Sequence, residues 1–588
     1  LPARFRFSCC LLIAAVLPFS AFAAPNPAAD KPMQQIIADF EAYNFAEDPF
    51  AAGQNGVREA LSRLPDVTPA GDARRKAALL KFDQRLGAIK PAGLSAEARL
   101  NHDLLEREVR ERLADLDFDT ARSPSLNDSG FETALSEAAT TIAIRNQADA
   151  EAWLHRLQAA PGYWRDNMAN IRRGIKTGFV QPRIIAELIA GRARKQADTP
   201  IDDDPMLAPL KSLPSTISAA MAADLLDRGR EALQALRPAQ AEYADLMEKE
   251  YLPAARETLG ARSLPNGANY YAWLVGYHTT TTLTPDQVHE IGKSEVARIR
   301  EEMEKLIKET GFTGSFSDFQ AMLRSDPRFY VTSRQALLEK ASEIAKRIDD
   351  QLPRHFGRLP RLPYGVRPVP AEIEENYTTG RYFEGSPSQG VAGGLMINTS
   401  HLDQRPLYEL PALALHEGVP GHHLQIALSQ ELENVPAFRR DAYVTAYVEG
   451  WGLYAEQLGD EMGIYRDAYE RFGKLSYEMW RACRLVADTG IHWKGWSVEE
   501  ARACFTDNTA LSPTNIQNEL MRYISWPGQA LAYKIGELKL MELRHRAEKT
   551  LGDKFDERAF HDRVLLAGPL PLDVLEKRVD EWIAGQKH

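Results

Sequence analysis

The segment His416-Glu417-Gly418-Val419-Pro420-Gly421-His422-His423 constrains this chain more than any other stretch. It closes an apolar run, Leu410-Pro411-Ala412-Leu413-Ala414-Leu415, and is followed by Tyr447-Val448-Glu449-Gly450-Trp451-Gly452. Two imidazoles and one carboxylate are the protein ligands of a catalytic zinc whose fourth position stays open for water. A glutamate beside the first histidine is placed to act as general base on that water. The pattern points to a Zn2+-dependent hydrolase, and within that class to a metallopeptidase. His416 and Glu449 would be metal ligands and Glu417 the base.

The second histidine needs a broken helix. In His-Glu-x-x-His the two histidines lie four apart, one turn along one helix face. Here the candidates, His422 and His423, lie six and seven residues on. On an unbroken helix those spacings correspond to about 9 Å and about 10.5 Å of rise. Two imidazoles bound at about 2.0–2.1 Å to one ion cannot be so far apart. Pro420-Gly421 supplies the interruption, because proline lacks the N–H and clashes with the carbonyl of His416, and glycine tolerates unusual dihedrals. Spacing alone leaves both histidines open.

The chain resembles a bacterial family grouped as domain of unknown function 885, among the zincin-like metallopeptidases. The likeness spans roughly residues 35–585. It is carried by Tyr270-Tyr271 with Thr279-Thr280-Thr281, by Gly393-Gly394-Leu395-Met396-Ile397-Asn398-Thr399 and by His416 to Gln425. It continues through Glu449-Gly450-Trp451, Arg484 to His492, and Arg522-Tyr523 to Gly536. The resemblance implies a zincin-like fold and a metal more firmly than a substrate. Thimet-type oligopeptidases and angiotensin-converting enzyme are more distantly similar, with Gly directly before the second histidine. That likeness favours His422 over His423 as ligand and gives Glu449 the third ligand's role. His423 then faces the substrate or supports a ligand.

Peptide hydrolysis builds up an oxyanion that the metal and a donor side chain share. The thimet-type likeness places catalytic tyrosines downstream of the third ligand, which favours Tyr533 and then Tyr523. Asp488 and His492 are four apart, so on a helix the carboxylate would orient the imidazole as a donor. Arg522 or Lys534 would hold a substrate carboxylate if the enzyme is a carboxypeptidase. Gly393-Gly394 offers close backbone approach to an extended peptide. His278 and His289 are read as structural or substrate-side rather than as ligands.

Residues 1–23 read as a secretory leader: Arg4 and Arg6, an apolar run from Cys9 to Leu17, and the small-x-small site Ala21-Phe22-Ala23. The expected location is periplasmic or secreted. In such a compartment Cys483 and Cys504 either pair or remain buried thiols; sequence leaves both open. The net charge of −11 and the lack of a basic tract argue against nucleic acid as a partner. Mean hydropathy of −0.37 argues against stable membrane insertion of the mature chain.

At 588 residues the chain can bury a large core in two subdomains. After a linker over 24–34, residues 35–260 form a helical subdomain. Helical periodicity marks Ala73 to Ile89, Ala96 to Asp117 and Asp227 to Glu250. Asp198 to Pro214 reads as a loop, and the proline-rich Leu359 to Pro370 as extended or looped. Thr284-Pro285-Asp286-Gln287 is a helix start with a capping box. Residues 261–588 form the catalytic subdomain, with strands over Tyr377 to Phe383 and Leu395 to Asn398. The expected fold is mainly α with a small β-sheet, and the resemblance implies a zincin-like two-subdomain clamshell that admits short, extended peptides. Two other classes compete: an amidase or esterase on cell-wall or small-molecule substrates, and an inactive peptide-binding protein.

Overall fold

A computed structural model describes residues 27–370, 374, 377–387 and 390–586. The leader expected over 1–23 lies outside the described residues. Residues 27–34, read from composition as linker, belong to helix α1 (Pro27–Glu47). Packing overrides composition there: Met33, Ile36, Ile37 and Phe40 are buried against α2 (Pro69–Gly87) and α3 (Ala96–Phe118). The paired long helices α4 (Gln147–Thr177) and α5 (Ala219–Leu246) follow. Asp198 to Pro214 is not a plain loop. It holds short turns at Ile201–Asp203, Pro205–Leu207 and Ala208–Lys211, with Asp204 accepting from the Met206 N–H and pairing with Arg237.

Helix α6 (Pro285–Glu309) starts as the sequence dictates. The Thr284 hydroxyl accepts from the Gln287 N–H at 3.2 Å and the Gln287 side chain accepts from the Thr284 N–H at 2.9 Å. The sheet has three strands, β1 (Tyr364–Pro368), β2 (Gly380–Phe383) and β3 (Gly393–Ile397), in the order β1-β3-β2. β1 runs parallel to β3 and β2 antiparallel to it. β1 comes from the proline-rich stretch; as an edge strand it tolerates Pro368 at its end. β3 is buried throughout, and β2 leaves its other edge unpaired within this sheet.

The remaining helices that build the site are α7 (Leu410–Glu417), α8 (His422–Gln430), α9 (Thr445–Glu461), α10 (Ala468–Thr489), α11 (Pro513–Ser525) and α12 (Ala532–Leu551). α9 and α12 touch backbone to backbone at Gly450 and Gly536. A Cβ on Gly536 would lie 1.9 Å from the Ala446 carbonyl. α10 is buried from Phe472 to Thr489, so its charged residues must find partners. Glu478 meets Lys534 at 2.8 Å. Cys483 and Cys504 form a disulfide with Cα atoms 5.7 Å apart, joining α10 to the helix Val498–Asn508. One hydrophobic core runs from Trp153 and Leu233 to Trp451 and Leu575, so residues 35–260 and 261–588 share buried side chains. No helix among the described residues is long and apolar enough to cross a membrane.

Candidate metal centre

Helix α7 ends at Glu417 and the chain restarts helically at His422, as the spacing requires. Between them the Val419-Pro420 peptide is cis. The Gly421 N–H donates to the Leu415 carbonyl at 2.9 Å and the His423 N–H to the Gly418 carbonyl at 3.0 Å. The chain folds back so tightly that a Cβ on Gly421 would stand 2.0 Å from the His416 carbonyl oxygen, a contact only glycine avoids. The Trp451 indole of α9 donates to the Pro420 carbonyl at 2.8 Å and ties the break to the next helix.

This fold-back brings His416, His422 and Glu449 together, with ligand atoms all within 4.8 Å of one another and all three residues buried. His416 Nε2 and His422 Nε2 lie 3.6 and 3.5 Å from Glu449 Oε2. Donors sharing one ion tetrahedrally at about 2.0–2.1 Å stand about 3.4 Å apart, so the three fit a small divalent metal. His416 Nδ1 donates to Glu456 Oε1 at 2.8 Å, because a carboxylate can only accept. That fixes the tautomer of the neutral ring, with the Nε2 lone pair toward the cluster. Burial pulls the His416 pKa down, but Glu449 and Glu456 outweigh it and lift it to about 9, so without a metal ion Nε2 also carries a proton, which a bound ion would displace. Burial would raise Glu449; the two imidazoles hold it well below the usual carboxylate range instead. Gly452 makes room for the first ring: a Cβ there would lie 2.6 Å from His416 Cε1. Glu417 stands apart from the cluster, its Oε2 accepting from the Tyr382 N–H of β2 at 2.7 Å.

A family model described as a bacterial protein of unknown function (DUF885) matches residues 49–579. The chain belongs to this family. Two solved structures are similar to this DUF885 protein. One, from Colwellia psychrerythraea, is provisionally named a lipoprotein. It is 25% identical, aligns over 95% of this chain and 99% of its own, and superposes with a TM-score of 0.89. The other, from Shewanella oneidensis, is also provisionally named a lipoprotein, of unknown function. It is 17% identical over 93% of this chain and 99% of its own, with a TM-score of 0.72. No curated protein matches the chain.

Several residues expected at the site of this DUF885 protein are occupied elsewhere. His423 does not face substrate. It is 1% exposed, with Nδ1 3.2 Å from the Tyr382 hydroxyl and Nε2 2.9 Å from the Leu362 carbonyl, and it pins α8 to the sheet. Gly393 and Gly394 lie in the central strand and so offer no free backbone edge; Gly393 serves to let the His423 ring approach. His492 is buried, accepting from the Ala261 N–H at 3.0 Å and bonding the Tyr523 carbonyl at 2.9 Å. Asp488 does not orient it, because α10 widens into a π turn over Gly490–Lys494 and rotates the two apart. The Tyr523 hydroxyl donates to Glu519 at 2.7 Å and accepts from Arg484 and Trp480, so it is no oxyanion donor. Lys534 is buried among Glu478, Glu537 and Glu295 and cannot hold a substrate carboxylate. Tyr533 and Arg522 remain candidates, with Arg522 Nη2 donating to the Tyr533 hydroxyl at 3.1 Å. His278 and His289 are both buried, the latter bonded to Thr489 at 2.8 Å.

Three contributors escaped the sequence reading. Glu456 stands seven residues after Glu449 on the same face of α9, a spacing that could have flagged it. Tyr443 donates to Glu449 Oε1 at 3.0 Å although the residue is 64% exposed. The Glu449 charge beside it keeps that hydroxyl protonated. Tyr382 contributes only its backbone N–H, which no side-chain pattern reveals.

Asp488 has a different task. It accepts from the Tyr271 hydroxyl at 2.6 Å and from the Gly528 N–H, and burial lifts its pKa to about 7. The folded chain therefore keeps a proton that the unfolded chain loses near pH 4. Stability from this group falls between about pH 4 and pH 7, by at most about 4 kcal/mol, and levels off above. Urea titrations across that range should show this slope in wild type and its loss in Asp488→Asn. Equal slopes in both would refute it.

Proposed function

We propose that the chain is an exported Zn2+-dependent hydrolase that cleaves peptide bonds, in the manner of a zincin-like metallopeptidase. The observation that carries this reading is the buried His416–His422–Glu449 cluster, with Glu417 next to His416 in the chain at the end of α7. Bound there, Zn2+ would supply Lewis acidity toward a water and a substrate carbonyl. The chain's own residues do the rest. Glu417 takes the proton of the attacking water on the oxygen not engaged by the Tyr382 N–H and passes it to the leaving amine. Glu456 holds His416 in the ligating tautomer. Tyr533, whose hydroxyl accepts from Arg522 Nη2, would donate its proton to the developing oxyanion, while Tyr443 spends its own on Glu449. An extended peptide would pair along the outer edge of β2, whose Tyr382 N–H is already held by Glu417. Net reaction is amide plus water to acid plus amine.

Export is supported by the Cys483–Cys504 disulfide and by the lipoprotein names of the two structural relatives. The amidase or esterase alternative uses the same cluster; the β2 edge favours a peptide over a small molecule. A peptide library digested with zinc-loaded protein and read by mass spectrometry tests the reading. Cleavage abolished by chelation and restored by zinc is expected. An intact library with zinc bound would count against peptidase activity.

A further inference from the structure

A second charged cluster adjoins the metal centre, and its charges do not balance. Arg484, 3% exposed, donates through Nη2 to Glu519 Oε2 at 2.8 Å and through Nε to the Tyr523 hydroxyl at 2.9 Å. Its Nη1 is buried with no protein partner among the described residues. Arg522 Nη1 lies 3.5 Å from the same Glu519 oxygen, and its Nη2 donates to Gln529 Oε1 at 2.5 Å and to Tyr533. The Tyr523 hydroxyl donates to that oxygen too. Two guanidiniums thus share one carboxylate, leaving one positive charge uncompensated in a setting where unpaired charge is costly.

The excess charge points toward the triad. The Arg484 guanidinium sits 4.2 Å over the Tyr533 ring. Tyr533 and Glu449 each lie within one turn of the crossing where α12 touches α9, at Gly536 against Ala446 and Gly450, and the Tyr443 hydroxyl bonds the candidate ligand Glu449. The Arg522 side chain is 20% exposed, so a ligand can reach it, whereas Lys534, the other cation weighed for this task, is enclosed by three glutamates. Arg522 Nη2 spends both hydrogens on Gln529 and Tyr533, so a substrate carboxylate would meet the fixed charge and the Nη1 donor, which lies 3.5 Å from Glu519.

We propose that Arg522, backed by Arg484, binds a carboxylate of the substrate beside the metal centre. This rests on the peptidase reading and narrows its substrate class. A peptide offers two sources of that group, its free C-terminus and an acidic side chain. A C-terminal anchor makes the enzyme a carboxypeptidase; a side-chain anchor gives it acidic specificity.

Four peptides of one sequence decide it: free acid or C-terminal amide, each with and without a glutamate near the C-terminus. With zinc-loaded wild type, kcat/KM is expected to favour the carboxylate-bearing substrate by about 100-fold, the size of a charged hydrogen-bonded contact. In Arg522→Met that ratio should fall below about 3-fold, and in Arg522→Lys to an intermediate value, because the charge is kept but the planar group held by Gln529 and Tyr533 is lost. Preference for the free acid identifies the C-terminus, and preference for the glutamate amide identifies the side chain. Metal content and melting temperature of each variant separate misfolding from lost recognition. Calorimetric titration of the same peptides into zinc-loaded Glu417→Gln protein reads the preference without turnover. Equal affinity and equal rates for all four overturn the proposal and leave the hydrolase reading standing. No cleavage, but a binding preference that Arg522→Met removes, would sustain the carboxylate site and count against the hydrolase.

Discussion

Glu417→Gln is expected to keep its metal and lose about three orders of magnitude in turnover, within the range that general-base groups contribute. Glu417 lies outside the cluster of His416, His422 and Glu449, so the donor set is untouched. The amide of glutamine can still accept from the Tyr382 N–H that holds Glu417 Oε2 at 2.7 Å, so the side chain keeps its place. What it loses is the capacity to take a proton. Single-turnover kinetics beside elemental analysis checks both halves. Metal loss would make Glu417 a ligand; wild-type turnover would remove it from the mechanism.

The two adjacent histidines should separate cleanly. His422→Ala removes one of three donors and should lose both zinc and activity. His423→Ala should keep its zinc, because that ring turns away into the sheet. Its cost falls on stability, about 1 kcal/mol for the half-buried Leu362 carbonyl that loses its partner, and on the seating of β2 through Tyr382. Metal content and urea denaturation of the two variants, measured together, distinguish them. Zinc retained in His422→Ala and lost in His423→Ala would reverse the assignment.

The site was legible in the sequence where chemistry forces a rare arrangement. A His-Glu pair followed by Pro-Gly-His only makes a ligand pair if the helix breaks, and it does break between Glu417 and His422. The cap at Thr284 was legible because it is local. The downstream tyrosine and histidine readings failed at Tyr523 and His492, since burial and partner choice are set by distant elements. Tyr523 is claimed by Glu519 and Arg484, and His492 by Ala261, more than two hundred residues away. Asp488 and His492 were paired by helical spacing, which the π turn at Gly490–Lys494 cancels. β1 hid in a proline-rich stretch because an edge strand need not alternate or exclude proline at its end.

Metal stoichiometry of the purified, zinc-reconstituted chain, measured by elemental analysis against a His416→Ala control, tests the central claim most directly. About one zinc per chain in wild type and none in the control is the expected result, since three protein donors make one open site. A wild-type chain that retains no divalent metal, or a control that retains as much as wild type, would contradict it.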